Sequence, residues 1–166
     1  CEPGEALFAR GMVERGGGEK VEGAPESLVI DASTVVKWFV PEHDTDEALK
    51  VRDRHVDAGL VLYAPDILVY EVANALRYRP DLEEKALIQD LDALFSLDLE
   101  LIIPSSRMIG RAALMARRLG ITVYDSAYLI LAETLGTTLV TGDQELFEKT
   151  SETHLVSLLR DIAQGL

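Results

Sequence analysis

The feature that most constrains this chain is an alternation of two periodicities. Short apolar runs of strand-forming residues take turns with longer stretches of helical spacing. The runs are Leu28-Val29-Ile30, Leu60-Val61-Leu62-Tyr63, residues 99–103, Thr138-Leu139-Val140-Thr141 and His154-Leu155-Val156. Unbroken apolar runs of this length suit strands covered on both faces, as parallel sheets require. Between them the spacing predicts helices over 34–39, 44–58, 66–78, 82–97, 105–119, 125–135 and 145–149, and a last helix from Leu158 onward. Leu68, Val72, Ala75 and Leu76 mark the inner face of the third helix, and Ala86, Leu87, Leu91, Leu94 and Phe95 that of the fourth. Asp44 and Ser105 or Ser106 are placed as N-caps, and Gly59, Gly120 and Gly136 as helix stops. Strands joined through helices need crossover connections. The expected fold is therefore α/β, a parallel sheet with helices on both faces.

The length of 166 residues fits one domain with a proper core. Residues 1–27 differ from the rest, with a Gly16-Gly17-Gly18 run and scattered charge, and read as a leader that is flexible or remains from expression. A short helix over 6–13 is the one element expected there, and residues 28–166 form the expected domain. Cys1 is the sole cysteine, which excludes a disulfide framework and a cysteine zinc site, and His43, His55 and His154 show no close ligand spacing. No stretch has the length and apolarity of a membrane span, and no secretory signal is evident, so a cytoplasmic protein is expected. The net charge of -13 argues against a broad basic surface, so a nucleic acid must be engaged locally, by a few basic side chains and by cations.

In open parallel sheets, ligands bind outside the carboxyl ends of the strands. Asp31 directly follows Leu28-Val29-Ile30, and Asp143 follows Thr138-Leu139-Val140-Thr141-Gly142. Glu71 lies in Tyr70-Glu71-Val72-Ala73-Asn74-Ala75-Leu76, and Asp125 opens the apolar run Ser126-Ala127-Tyr128-Leu129-Ile130. Each acid has an ordinary alternative: Asp125 as a helix cap, Asp143 as a turn residue, Glu71 on a solvent-facing stripe. Four at corresponding edge positions together indicate a site. Gathered carboxylates stay ionised together only beside a cation, and oxygen ligands suit Mg²⁺ or Mn²⁺. The hydroxyls of Ser33, Ser126 and Thr141 adjoin these acids, either to orient water or phosphate or to cap helices.

The series Val29-Ile30-Asp31-Ala32-Ser33, Tyr70 to Leu76, Tyr124-Asp125-Ser126-Ala127-Tyr128 and Thr141-Gly142-Asp143 resembles the PIN-domain ribonucleases, and most of all the VapC-type toxins of toxin–antitoxin pairs. The likeness covers residues 28 to about 160 and leaves the leader outside. It implies a three-layer α/β/α sandwich with a central parallel sheet and an Mg²⁺- or Mn²⁺-dependent endoribonuclease. Asp31 and Asp125 would be the main metal ligands, completed by Glu71 and Asp143, with Asn74 and Thr141 in support. It further implies a homodimer and a small antitoxin that places an Arg among the acids. Candidate guides for RNA are Lys37, Arg77, Arg79, Arg107 and Arg111, with Arg77 and Arg79 foremost because they follow Glu71.

Other readings stay open. One is a PIN nuclease of RNA processing or decay, another an inactive PIN-like scaffold. A haloacid-dehalogenase-type phosphatase also places an Asp after its first strand, but it calls for a second Asp where Ser33 stands. A phospho-acceptor receiver module needs paired acids near the first strand and a Lys near the last, and neither is present.

Overall fold

The computed structural model describes residues 26–166 apart from Asp81. Of the leader expected over residues 1–27, residues 1–25, with the expected helix, lie outside the described residues, and Glu26 and Ser27 already belong to the first strand. Five strands, β1 (Glu26–Ile30), β2 (Leu60–Pro65), β3 (Glu100–Ile102), β4 (Thr138–Thr141) and β5 (Val156–Leu158), form one sheet in the order β3-β2-β1-β4-β5. Every pairing is parallel. The helices are α1 (Ala32–Val35), α2 (Thr45–Val56), α3 (Leu68–Leu76), α4 (Glu84–Ser96), α5 (Ser106–Leu119), α6 (Val123–Leu135), α7 (Gln144–Thr150) and α8 (Leu159–Ala163).

The chain steps from β1 to β2 to β3 in one direction, then returns past β1 to β4 and β5. Right-handed crossovers turn that reversal into two helical layers, so the molecule is a three-layer α/β/α sandwich. One layer carries α1 to α4, with α2 packed on β2 and on α8. The other carries α6, which crosses β1, β2 and β4 and is flanked by α5. This central position explains why α6 is apolar almost all round: Tyr128, Leu129, Ile130, Leu131 and Ala132 are all buried. Val29, Ile30, Leu62, Leu139 and Val140 supply the sheet's share of the core.

Several boundaries differ from the sequence reading for local reasons. The segment expected as a helix over 34–39 divides into α1 and a 3-10 turn, Val36–Trp38. Asp44 occupies the N-cap position of α2 with φ of 63°, yet its carboxylate pairs with His43 instead of capping. The left-handed residue that ends α2 is Ala58, not Gly59. Ser105 caps α5, while Gly120 and Gly136 end α5 and α6 at φ of 66° and 65°. α6 starts at Val123, two residues early, because Thr122 caps it. On α3 and α4 the inner faces are narrower than expected: Ala75 is exposed, and Phe95 is 64% exposed while Leu94 is buried. Leu94 is the buried residue of α4, with Leu87 and Leu91 packed partly buried against the core.

Candidate active site

The strand order reverses beside β1, so the crevice at the carboxyl ends of β1 and β4 is the topological switch point. Ile30 is in register with Val140, which puts Asp31 level with Thr141 and just short of Asp143. Asp31 caps α1: its Oδ1 accepts the Thr34 N–H at 3.0 Å and the Ser33 hydroxyl at 2.7 Å. Its Oδ2 accepts the Thr141 hydroxyl at 2.5 Å. Burial pushes the Asp31 carboxyl above the ordinary range, and the bonds from Thr141, Ser33 and Thr34 pull it only part of the way back.

Thr141 and Ser33 stitch the β4–α7 loop onto this carboxylate. The Thr141 oxygen accepts the Asp143 N–H at 3.0 Å, and Ser33 Oγ accepts the Gly142 N–H at 2.8 Å. A Cβ on Gly142 would stand 2.9 Å from Lys37 Cε and 3.3 Å from Ser33 Oγ, so any side chain here would have to push the end of Lys37 aside and crowd Ser33. Lys37 is buried in that contact, with its ammonium on Glu42 at 3.2 Å.

Glu71, in the first turn of α3, is half-buried and accepts the Tyr128 hydroxyl at 2.5 Å through Oε2. Burial raises the Glu71 carboxyl, the Tyr128 bond lowers it, and the charges of Asp125 and Asp31 raise it again. Tyr128, 2% exposed, is pushed far above the ordinary phenol range by burial and then by the Glu71 charge. Asp125 does not open α6 but sits at its third position in a capping box. Thr122 Oγ1 accepts the Asp125 N–H at 3.0 Å, while Asp125 Oδ2 accepts the Thr122 hydroxyl at 2.7 Å and the Thr122 N–H at 3.3 Å. Asp143 caps α7, its Oδ1 accepting from the N–H groups of Glu145 at 2.8 Å and Leu146 at 3.1 Å. Asp125 and Asp143 face a common cleft of about 460 Å³, lined also by Thr122, Glu145, Leu146 and Lys149.

Three of the four acids therefore do hold helix starts. The two roles coexist because helices that follow parallel strands begin at this edge and offer their N–H groups there. Glu71 feels the charges of Asp125 and Asp31, and Asp31 is joined to Asp143 through the Thr141 hydroxyl. Among the described residues, however, no three acidic or histidine side chains converge on a common point at metal-ligand range.

The remaining sequence candidates fall elsewhere. Asn74 is exposed and accepts from Arg77 Nε at 2.7 Å, while Arg77 donates to Tyr78 at 2.6 Å and lies 3.9 Å over its ring. Arg79 is half-buried, with its N–H on Leu76, and neither arginine lines the cleft. Ser126 is fully buried beside Asp125 with its hydroxyl unpartnered. Arg107 is exposed and Arg111 pairs with Glu133 at 2.7 Å. Sequence reasoning passed over Thr122, Tyr128 and Lys149. The Thr122-x-x-Asp125 spacing was the legible signal for the first, and nothing local marked the other two.

The PIN domain family model matches residues 28–152. The chain belongs to the PIN-domain family. Ribonuclease VapC3 of Pyrobaculum aerophilum is 36% identical over 126 residues, covering 74% of this chain and 93% of that protein. Among solved structures, PAE2754 of Pyrobaculum aerophilum superposes with a TM-score of 0.61 at 22% identity, over 84% of this chain and 95% of its own. VapC20 of Mycobacterium tuberculosis, described as a toxin that cleaves the sarcin–ricin loop, gives 0.58 at 10% identity, over 72% and 92%. FitAcB of Neisseria gonorrhoeae gives 0.51 at 17% identity, over 79% and 95%. These structural likenesses establish the fold. Membership of the PIN family also sets aside the haloacid-dehalogenase and receiver readings, and the four acids of this PIN domain occupy one edge of its sheet.

Proposed function

We propose that this PIN domain is an endoribonuclease that hydrolyses RNA phosphodiester bonds with Mg²⁺ or Mn²⁺, and that it is the toxin of a VapBC-type toxin–antitoxin pair. The observation that carries the reading is the linkage of Asp31, Glu71, Asp125 and Asp143 at the switch point of the sheet. The likeness to ribonuclease VapC3 supports it.

The residues fit a hard divalent cation in donor chemistry and in charge. All donors are oxygens, and burial followed by the charges of Asp125 and Asp31 raises Glu71, a penalty on its ionised form that a cation would offset. Asp31, Glu71, Asp125 and Asp143 would hold it, with Asp125 turning out of its capping box. Such an ion supplies positive charge for the scissile phosphate and acidifies water for in-line attack. The chain's own contribution is positional. Thr141 and Ser33 fix the Asp31 carboxylate and Tyr128 fixes that of Glu71, while the Asp31 burial keeps this part of the site dry. A cleft of carboxylates also suits an inserted Arg, the recognition expected of a small antitoxin. We expect a homodimer in the cytoplasm; among the described residues no helix is long and apolar enough to cross a membrane.

The capping-box rotamer of Asp125 favours one second reading, an inactive PIN-like scaffold. A role in RNA processing or decay uses the same chemistry, and growth arrest on expression, relieved by a co-expressed partner, separates toxin from housekeeping enzyme. The enzymatic test is incubation of antitoxin-free protein with structured RNAs in Mg²⁺, Mn²⁺ or EDTA. Cleavage that needs the metal and disappears in Asp31→Asn with Asp125→Asn is the expected result. RNA binding without cleavage under any metal condition selects the scaffold.

A further inference from the structure

An enzyme of net charge -13 that cuts a polyanion has to solve a problem of approach. The acids that would hold the cation repel the strand they are to cut, so a fixed positive group is needed where the strand enters. Several basic side chains are committed elsewhere, while Arg117 and Arg118 stand exposed in the last turn of α5, just before the cleft-lining Gly120. Lys37 is buried against Gly142 and paired with Glu42. Arg77 is held by Asn74 and Tyr78, and Arg111 by Glu133. The cleft that Asp125 and Asp143 share has one cation among its described lining residues, Lys149. Lys149 is half-exposed, at 45% of its side chain, and its ammonium rests 2.6 Å from Glu145, four residues earlier on α7. Glu145 is 76% exposed and lines the same cleft.

We infer that Lys149 receives a phosphate of the RNA strand beside the scissile bond, and that Glu145 occupies its ammonium as a stand-in until that phosphate arrives. The inference rests on the nuclease reading above and names the residue that orients the substrate in that site. Exposed ion pairs four apart on a helix are weak, so a phosphate bridging the cleft displaces the Glu145 carboxylate readily. The bond and charge of Glu145, and after them the charges of Asp125 and Asp143, raise the Lys149 ammonium above its ordinary value. The same α7 presents Asp143 at its start and Lys149 near its end, so one rigid helix sets the distance from anchored phosphate to acidic site.

The two members of the pair make opposite predictions, which a purely structural ion pair would not. The full chain is assayed with fluorescent single-stranded RNA in Mn²⁺ over a series of salt concentrations. Lys149→Gln is expected to raise KM roughly tenfold, with most of the loss in KM rather than kcat, and to flatten the logarithmic salt dependence by about 0.7. Lys149→Arg is expected to restore KM to within about twofold, since a guanidinium also binds phosphate. Glu145→Gln is expected to lower KM by about two- to threefold, because the competing carboxylate is gone. An unchanged KM and salt slope in Lys149→Gln overturns the inference, as does a Glu145→Gln that weakens binding alongside Lys149→Gln. A wild-type chain that neither binds nor cleaves RNA overturns the nuclease reading, and the inference with it.

Discussion

Replacing Thr141 by Val keeps the shape of the side chain and deletes one hydroxyl from the centre of the site. That hydroxyl is fully buried, donates to Asp31 Oδ2 at 2.5 Å and accepts the Asp143 N–H at 3.0 Å. A hydrogen bond to a charged group is worth roughly 1.5–3 kcal/mol, and an orphaned backbone donor costs about 1 kcal/mol more, so the metal-free protein should lose about 2.5–4 kcal/mol where Asp31 is ionised. The loss should depend on pH in a defined direction. Asp31 is an acid whose folded value lies above its ordinary value of 3.8, so protonation favours the folded state. The Thr141 bond acts at full strength on the ionised carboxylate. Its deletion is therefore felt most above the raised folded value and fades as pH falls through that value toward 3.8. Urea unfolding of wild type and Thr141→Val in EDTA, across a pH series from about 4 to the alkaline side of the Asp31 titration, measures both. A difference below about 0.5 kcal/mol throughout, or one that does not change across the series, would refute the claim that this hydroxyl supports a buried carboxylate.

Three further outcomes follow from the same geometry. Tyr128→Phe removes the hydroxyl that holds Glu71 at 2.5 Å and should weaken Mn²⁺ binding about tenfold by calorimetry, the worth of one charge-assisted bond. Thr122→Ala should cost about 1 kcal/mol in thermal unfolding as a lost cap, yet leave Mn²⁺ binding intact or stronger, because it releases Asp125 from the capping box. Wild-type stability in EDTA should decline as pH rises from the ordinary values of 3.8 and 4.5 through the raised ones of Asp31 and Glu71, and saturating Mn²⁺ should abolish the decline in unfolding curves.

What could be read before the structure depended on how local the signal was. Asp31 and Asp143 were visible because each follows a short apolar run, and strand–helix alternation alone puts such positions on one edge of a parallel sheet. β4 was expected over its observed span because Gly136 and Gly142 bracket it. The start of α6 was missed by two residues although Thr122-x-x-Asp125 announces it, since Asp125 was read as the cap rather than as its reciprocal partner. Tyr128 and Glu71 are 57 residues apart, and their contact follows from where α3 and α6 land on the sheet. No local pattern encodes that crossing. Arg77 looked available because it follows Glu71, but Tyr78 beside it and Asn74 one turn earlier take up its guanidinium. Phe95 lies on the apolar stripe of α4 and is nonetheless exposed, because periodicity gives the face of a helix and not how much of that face the sheet can cover.

The central claim is that four carboxylates at the switch point bind a divalent cation. Calorimetric titration of the metal-free full chain with Mn²⁺, beside Asp31→Asn, tests it most directly. The account predicts saturable binding to the wild type that Asp31→Asn loses while remaining folded. Wild-type protein that is folded and binds no Mn²⁺ would contradict it.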